Sequence, residues 1–322
     1  MLLSENQQVR KALKRLKGVT GFATTLCREG DPRACVFSRY DHIMRMLWIN
    51  RYLCREIGAD PRQSEEVILL HDLNRWPFAQ NAEKGCFNQD DNAGEYLPAL
   101  VPGISRELVE DVVHLHHKQP SRMRPDSRYA YIADVTAGMI EDPLLLITGL
   151  NTDPGIIPER FADLLGLDFS PRGIEELKSI CRTLNRERDV EGFSQSFQAL
   201  FENRCRALLR RYMADGGIQE WEQAIHRDAG VVKREFLRPI VFPINNERVC
   251  HGGWIKSRLI RRLVEDMGFG PASRCLLLAD EEELLAVVRE KGYMAEEELV
   301  NVYPDLDYTS RAENGIKPLI AL

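Results

Sequence analysis

A histidine and an aspartate stand side by side where an apolar run ends. His71 and Asp72 follow the apolar residues 67–70, and the irregular, proline-containing segment 74–78 comes directly after them. Neighbouring residues on a helix differ by about 100° in direction, so both side chains can reach one point at the edge of a buried face. A neutral imidazole and a carboxylate are ligands typical of zinc, manganese or iron rather than calcium. The pair indicates a metal site if further ligands lie elsewhere in the chain.

Two more residues of these types lie on other predicted helices. His42 is near the start of a helix predicted over residues 38–57, and Asp134 is in one predicted over 129–140. Each helix has an apolar side that must face a common core, and ligands from facing helices can meet inside a bundle. We therefore predict one divalent cation (Mn, Fe, Zn, Co, Ni or Mg) held by His42, His71, Asp72 and Asp134, with positions left for water and substrate.

A second group of histidines lies between these ligands. His114, His116 and His117 place three of the seven histidines within four residues. Helical spacing puts His114 and His117 on similar faces and His116 away from both. An unperturbed imidazole titrates close to neutrality, so His116 or His117 could transfer a proton. We favour His117 and leave His114 as an alternative that supports a ligand.

Residues suited to phosphate and water surround these motifs. An arginine can contact phosphate through two parallel hydrogen bonds, and a carboxylate can orient water. The predicted catalytic residues beside His117 are Arg75 and Glu83, and the predicted substrate-binding residues are Gln80, Lys118, Arg122 and Arg124.

Composition narrows the class of protein. The net charge of -6 and the pI near 5.8 give no overall attraction to nucleic acid. No apolar run reaches the roughly 18 residues of a membrane span, and residues 1–17 contain no apolar signal segment. None of the eight cysteines forms a C-x-x-C pair, which favours reduced thiols in a cytoplasmic protein, with Cys54 and Cys205 in or near the core. The expected partner is a small molecule, with a homo-oligomer left open.

The apolar periodicity predicts a mainly α-helical protein with a small mixed α/β region at its end. Asp142 and Pro143 are expected to end the helix that carries Asp134. The predicted domains are an N-terminal helical extension (1–37), a metal-binding core (38–142), additional helices packed on that core (143–238) and a C-terminal α/β region (239–322).

The ligand pattern resembles that of the HD-domain metal-dependent phosphohydrolases. The resemblance rests on Tyr40-Asp41-His42 at a helix start, Leu70-His71-Asp72-Leu73 at a helix end and Tyr131-Ile132-Ala133-Asp134-Val135. It covers roughly residues 38–142 and implies an HD-type helical bundle with bound metal.

The segment 71–78 is similar to the deoxynucleoside triphosphate triphosphohydrolase branch, in which the pair precedes a small residue, a histidine and Pro-Phe. Arg75 and Gln80 stand where that branch has histidines, and Asn92 stands where two-metal relatives have one. The resemblance with these departures implies one metal ion rather than two.

The resulting functional hypothesis is a phosphohydrolase acting on a nucleotide or a related phosphorylated small molecule, with a metal-activated water attacking phosphorus. One alternative is a nucleotide-sensing or interaction protein that keeps the metal without turnover. Another is a hydrolase of a signalling nucleotide.

Overall fold

The computed structural model describes residues 3–16, 38–75, 93–148, 190–214 and 216–237, with a few residues between 168 and 179. In these parts of the chain the regular structure is helical and no β-strand occurs. This confirms the mainly α prediction. The predicted α/β region at 239–322 lies outside the described residues.

Eight α-helices, labelled in chain order, make up most of the described structure. Short 3-10 helices occur at Leu3–Glu5, Leu73–Arg75, Pro120–Arg122 and Pro125–Ser127, and a π-helix at Val232–Leu237. The α-helices are α1 (Gln7–Arg15), α2 (Arg39–Ile57), α3 (Arg62–His71), α4 (Ala93–Leu100), α5 (Arg106–His116), α6 (Arg128–Thr148), α7 (Val190–Met213) and α8 (Ile218–Val231).

Both ends of α2 are set by residues whose chemistry favours a helix terminus. The Ser38 hydroxyl accepts from the Asp41 backbone N–H, and the Asp41 carboxylate accepts from the Ser38 N–H, so two backbone donors are satisfied. Gly58 ends the helix in the left-handed region at φ 71°, which a glycine adopts without a Cβ clash. These ends fix the register of the first turn, where His42 lies.

Helix α6 is the central element of the described fold. It packs against α2, α3, α7 and α8, while α3 also packs against α2 and α5, and α4 against α5. The core between them is apolar and includes the fully buried Ile43, Met46, Leu70, Tyr96, Tyr131, Phe197 and Phe201. Cys54 and Cys205 are free and buried, as the sequence predicted.

The prediction that Asp142 and Pro143 end α6 is wrong. The helix continues through Pro143 to Thr148. A proline removes one backbone donor and crowds the preceding turn, but packing of the surrounding helix can offset that cost. The observed helix extends the predicted range 129–140 by residues 141–148, and Glu141 is the first residue of that extension.

Among the described residues, no helix combines the length and apolar character needed to cross a membrane.

Candidate metal centre

The first predicted ligand lies in the opening turn of α2. His42 is 8% exposed, and its Nδ1 lies 2.8 Å from Glu141 Oε2. An ionised carboxylate only accepts hydrogen bonds, so Nδ1 carries the proton and Nε2 remains for another partner. That second nitrogen lies 3.4 Å from Asp134 Oδ1.

The second predicted ligand closes α3. His71 is 3% exposed, and its Nδ1 lies 2.7 Å from the carbonyl oxygen of Ile68, one turn earlier. Since a carbonyl can only accept, Nδ1 is the donor, which leaves Nε2 for another partner. An imidazole that binds a metal commonly donates its other N–H to a carbonyl or carboxylate in this way.

Three side chains from three helices converge on one point. One ligand atom from each of His42, His71 and Asp134 lies within 4.8 Å of the other two, and the rings of the two histidines have centroids 6.1 Å apart. Ligand atoms at tetrahedral angles around one ion, with bonds of about 2.1 Å, are about 3.4 Å apart. The donor set of two imidazoles and a carboxylate therefore fits a divalent transition metal after small side-chain movements.

Asp72, predicted as a fourth ligand, lies beside the three converging side chains, and its role as a ligand stays a prediction. Its Oδ2 accepts from Arg39 Nη1 at 3.0 Å, and its Oδ1 accepts from Arg75 Nε at 3.3 Å. It stays close to the cluster, with Oδ2 3.4 Å from His71 Nε2. Burial opposes its ionisation, but Arg39 and His71 hold the pKa of Asp72 well below its usual range. Two guanidinium groups thus hold an ionised carboxylate at the edge of the group.

Carboxylates and basic groups in close contact shift the pKa values of the residues in the centre. Burial alone would lower the pKa of His42, but Glu141 and Asp134 outweigh it and raise the pKa to about 10. Burial disfavours ionised Asp134, yet Lys118 and His42 hold its pKa below the usual range. The same competition lowers the pKa of Glu141 to about 2, with His42 and Arg45 outweighing burial. All of these carboxylates are ionised at neutral pH.

The histidine next to the cluster is His116, whereas the sequence analysis favoured His117. The rings of His116 and His71 have centroids 6.1 Å apart, and His117 is exposed. The difference arises because α5 ends at His116, so His117 caps the helix and no longer shares the helical face assumed for it. Burial and the nearby Arg75 lower the pKa of His116 to about 3, so its ring is neutral at pH 7. A catalytic role for His117 stays a prediction.

The predicted basic group divides into three different environments. The Lys118 ammonium forms an ion pair with Asp134 Oδ2, which places it at the cluster. Arg124 instead pairs through Nε with the buried Asp111 at 2.6 Å, and its backbone N–H donates to the same carboxylate at 2.9 Å. Arg122 is exposed at the end of a 3-10 helix. The prediction of substrate contact is weakened for Arg124, because its guanidinium satisfies a buried charge.

Two of the predicted residues lie outside the described part of the chain. Gln80 and Glu83 belong to residues 76–92, which are not described, and their roles stay predictions. Arg75 is described and is 17% exposed, in contact with Asp72.

The sequence analysis missed Glu141 and Arg39. Glu141 lies seven residues after Asp134 on α6, a spacing that returns to the same helical face. Arg39 lies three residues before His42 on α2 and so shares a side of that helix. Helical spacing from a predicted ligand could have found both. Glu141 lies directly after residue 140, where the sequence analysis ended the helix.

A comparison with known protein families gave a match over part of the chain. Residues 39–139 match the family model of the HD domain. The match supports assignment of this segment to the HD-domain superfamily, whose members are in general metal-dependent phosphohydrolases. No curated protein and no solved structure matches the chain.

Proposed function

We propose that the protein is a metal-dependent phosphohydrolase whose single divalent cation is held by His42, His71 and Asp134. The observation that carries this proposal is the convergence of these three ligand atoms within 4.8 Å. When bound, a divalent cation polarises a phosphoryl oxygen and lowers the pKa of a coordinated water. The HD-domain match over residues 39–139 supports the same reaction class.

The protein's own basic groups account for a phosphorylated substrate. Lys118 is 46% exposed beside Asp134, so its ammonium can reach a phosphate bound at the open side of the cluster. Arg75 and Arg39 lie next to the cluster, each in contact with Asp72. Phosphoryl transfer depends mainly on positioning and charge neutralisation, which these three cations provide.

We assign proton transfer to His116 in place of His117. Its ring lies next to His71. A phosphate bound at the cluster would offset the positive charge of Arg75, raise the pKa of the His116 ring and so allow it to accept a proton. This assignment retains the role predicted for the histidine cluster and changes the member that performs it.

A nucleotide is the substrate class we favour, and deoxynucleoside triphosphates are the first compounds to test. Support comes from the similarity of segment 71–78 to the triphosphohydrolase branch. Arg75 replaces a histidine of that branch, but as a cation beside the cluster it can neutralise phosphate charge.

The test is a screen of nucleoside mono-, di- and triphosphates and signalling nucleotides with added divalent metal. Release of phosphate and of triphosphate is measured separately. We expect turnover of at least one nucleotide, lost in His71→Ala and retained in the control His226→Ala, an exposed residue of α8. Metal binding without turnover of any compound would overturn the enzyme proposal and favour a sensing protein.

A further inference from the structure

His42 is held by a chain of contacts that extends away from the cluster. Glu141 accepts from His42 Nδ1 through Oε2 at 2.8 Å and from Arg45 Nη1 through Oε1 at 3.2 Å. Because both carboxylate oxygens are engaged, Glu141 has one orientation. The His42 ring is thereby fixed with Nε2 directed towards Asp134.

Arg45 is itself held by α7, a helix outside the segment that matches the HD domain. Its guanidinium lies over the rings of Phe197 and Phe201, 4.8 Å and 5.7 Å from their centroids. Its Nε donates to Gln198 Oε1 at 3.3 Å, and Gln198 Nε2 donates to Glu202 Oε1 at 3.0 Å. The amide of Gln198 is thus oriented by a donor on one side and an acceptor on the other.

Stability alone gives a poor account of a charged group at this place. Arg45 is 4% exposed, and Phe197 and Phe201 are almost fully buried. Removing a guanidinium from water costs several kcal/mol, and buried ion pairs can often be replaced by apolar side chains without loss of stability. Apolar side chains in place of both Arg45 and Glu141 would fill much of the same space without that desolvation cost, but they could not hold His42.

We propose that Arg45 is a positioning residue of the metal centre, acting through Glu141 on His42, and that α7 belongs to the centre because it holds Arg45. The inference rests on the proposed function, since it takes His42 to be a metal ligand. Partners that orient a ligating histidine typically change metal affinity by about 10- to 100-fold when they are lost. The same order of effect is expected here.

The test is a titration with Co²⁺, followed by its visible absorption, in variants of the full chain. Arg45→Met is expected to bind Co²⁺ about 10- to 100-fold more weakly and to shift the absorption bands. Arg45→Lys should recover part of the affinity, because an ammonium can still contact Glu141. The matched control is Arg51→Met on the same helix, where an exposed arginine pairs with Glu65. Its affinity and spectrum should equal those of the wild type.

A double-mutant cycle separates positioning from general stabilisation. If Arg45 acts through Glu141, Arg45→Met should cause no further loss of Co²⁺ affinity in a Glu141→Gln background. Gln198→Ala on α7 should weaken Co²⁺ binding in the same direction and leaves the buried guanidinium in place, so it also serves if Arg45→Met does not fold. Unchanged Co²⁺ affinity and spectrum in folded Arg45→Met or in Gln198→Ala would overturn the inference.

A measurement without metal distinguishes this inference from the proposed function. In ¹⁵N-histidine-labelled protein, the Nδ1 proton of His42 should give a downfield signal because it is hydrogen-bonded to Glu141, with assignment from its loss in His42→Ala. Absence of Co²⁺ binding by the wild type would overturn the proposed function. An unchanged Nδ1 signal in Arg45→Met or Gln198→Ala would overturn the positioning role of Arg45.

Discussion

At the scale of single residues, Lys118 forms an ion pair and also has an uncommon backbone conformation. Its ammonium contacts Asp134, and its backbone lies in the left-handed region at φ 56°, the only such non-glycine residue in the described chain. A side chain in this region costs about 1–2 kcal/mol. The position follows the C-terminus of α5, where a glycine is usual, so a lysine at this place has a conformational cost that a glycine would not have.

Two substitutions of Lys118 separate its backbone from its charge. The free energy of unfolding of Lys118→Gly should exceed that of Lys118→Ala by about 1 kcal/mol, because only glycine relieves the strain of the left-handed conformation. Both remove the ammonium, so both should lower turnover of the nucleotide substrate to a similar extent. Denaturant unfolding and steady-state kinetics measure the two effects. Full turnover in Lys118→Gly would show that the ammonium has no part in the reaction.

Arg122 and Arg124 differ in their contacts, so replacing each by methionine should change the free energy of unfolding by different amounts. Arg124→Met removes a charged hydrogen bond from the buried Asp111 and should lower the free energy of unfolding by about 1.5–3 kcal/mol, with KM unchanged. Arg122→Met changes an exposed residue and should alter stability by less than about 0.5 kcal/mol. Urea unfolding of both variants checks the comparison. Equal stability of the two would contradict a structural role for Arg124.

The sequence predicted the residue types of the site better than their contacts. The imidazoles and the Asp134 carboxylate were identified from spacing alone, because each lies on an apolar helix that must face the core. The partners of Asp72 were not, since Arg39 reaches it from another helix over 33 positions. The choice between His116 and His117 stays untested, but helical periodicity does not apply to His117, because this residue caps α5.

At the scale of elements, the helix ends decide where the ligands lie. Gly58 closes α2 at φ 71°, and Gly138 lies in the interior of α6 with open space where a Cβ would be. Apolar periodicity with cap residues predicted the bounds of α2 to within one residue. It failed at Pro143, because the tertiary packing that sustains a helix through a proline leaves no signal in the local sequence.

Alanine substitutions at these two glycines should change the free energy of unfolding in opposite directions. Gly58→Ala should lower the free energy of unfolding by about 1 kcal/mol, since alanine is strained in the left-handed region. Gly138→Ala should raise it by up to about 1 kcal/mol, since alanine favours the helix and meets no neighbour there. Thermal unfolding of the pair gives the comparison. Destabilisation by both variants would contradict the described ends of α2 or the packing of α6.

At the scale of the whole molecule, the candidate centre depends on helices inside and outside the HD-matched segment. Residues 39–139 contain the three converging side chains, while Glu141 and the α7 residues that hold Arg45 follow that segment. The division of the chain into a core over 38–142 and additional helices over 143–238 stays a prediction. Residues of α7 nevertheless contact Arg45, and Arg45 contacts the Glu141 carboxylate that accepts from His42.

Metal binding should stabilise the whole fold, because the ligands are brought together only in the folded state. A free metal concentration about 100 times the dissociation constant contributes about 2.7 kcal/mol. We therefore expect a rise of several degrees in the unfolding temperature when Mn²⁺ or Co²⁺ is added to chelator-treated protein. His71→Ala should show no rise. An equal rise in wild type and variant would place the binding elsewhere.

The most direct test of the centre is the metal content of the purified chain after exposure to divalent metal and removal of the excess. Elemental analysis should find about one transition-metal ion per chain in the wild type and in the control His226→Ala. His71→Ala and Asp134→Ala should contain almost none, because each removes one of three converging ligands. A folded wild type without bound metal, or full metal content in both ligand variants, would contradict a centre formed by His42, His71 and Asp134.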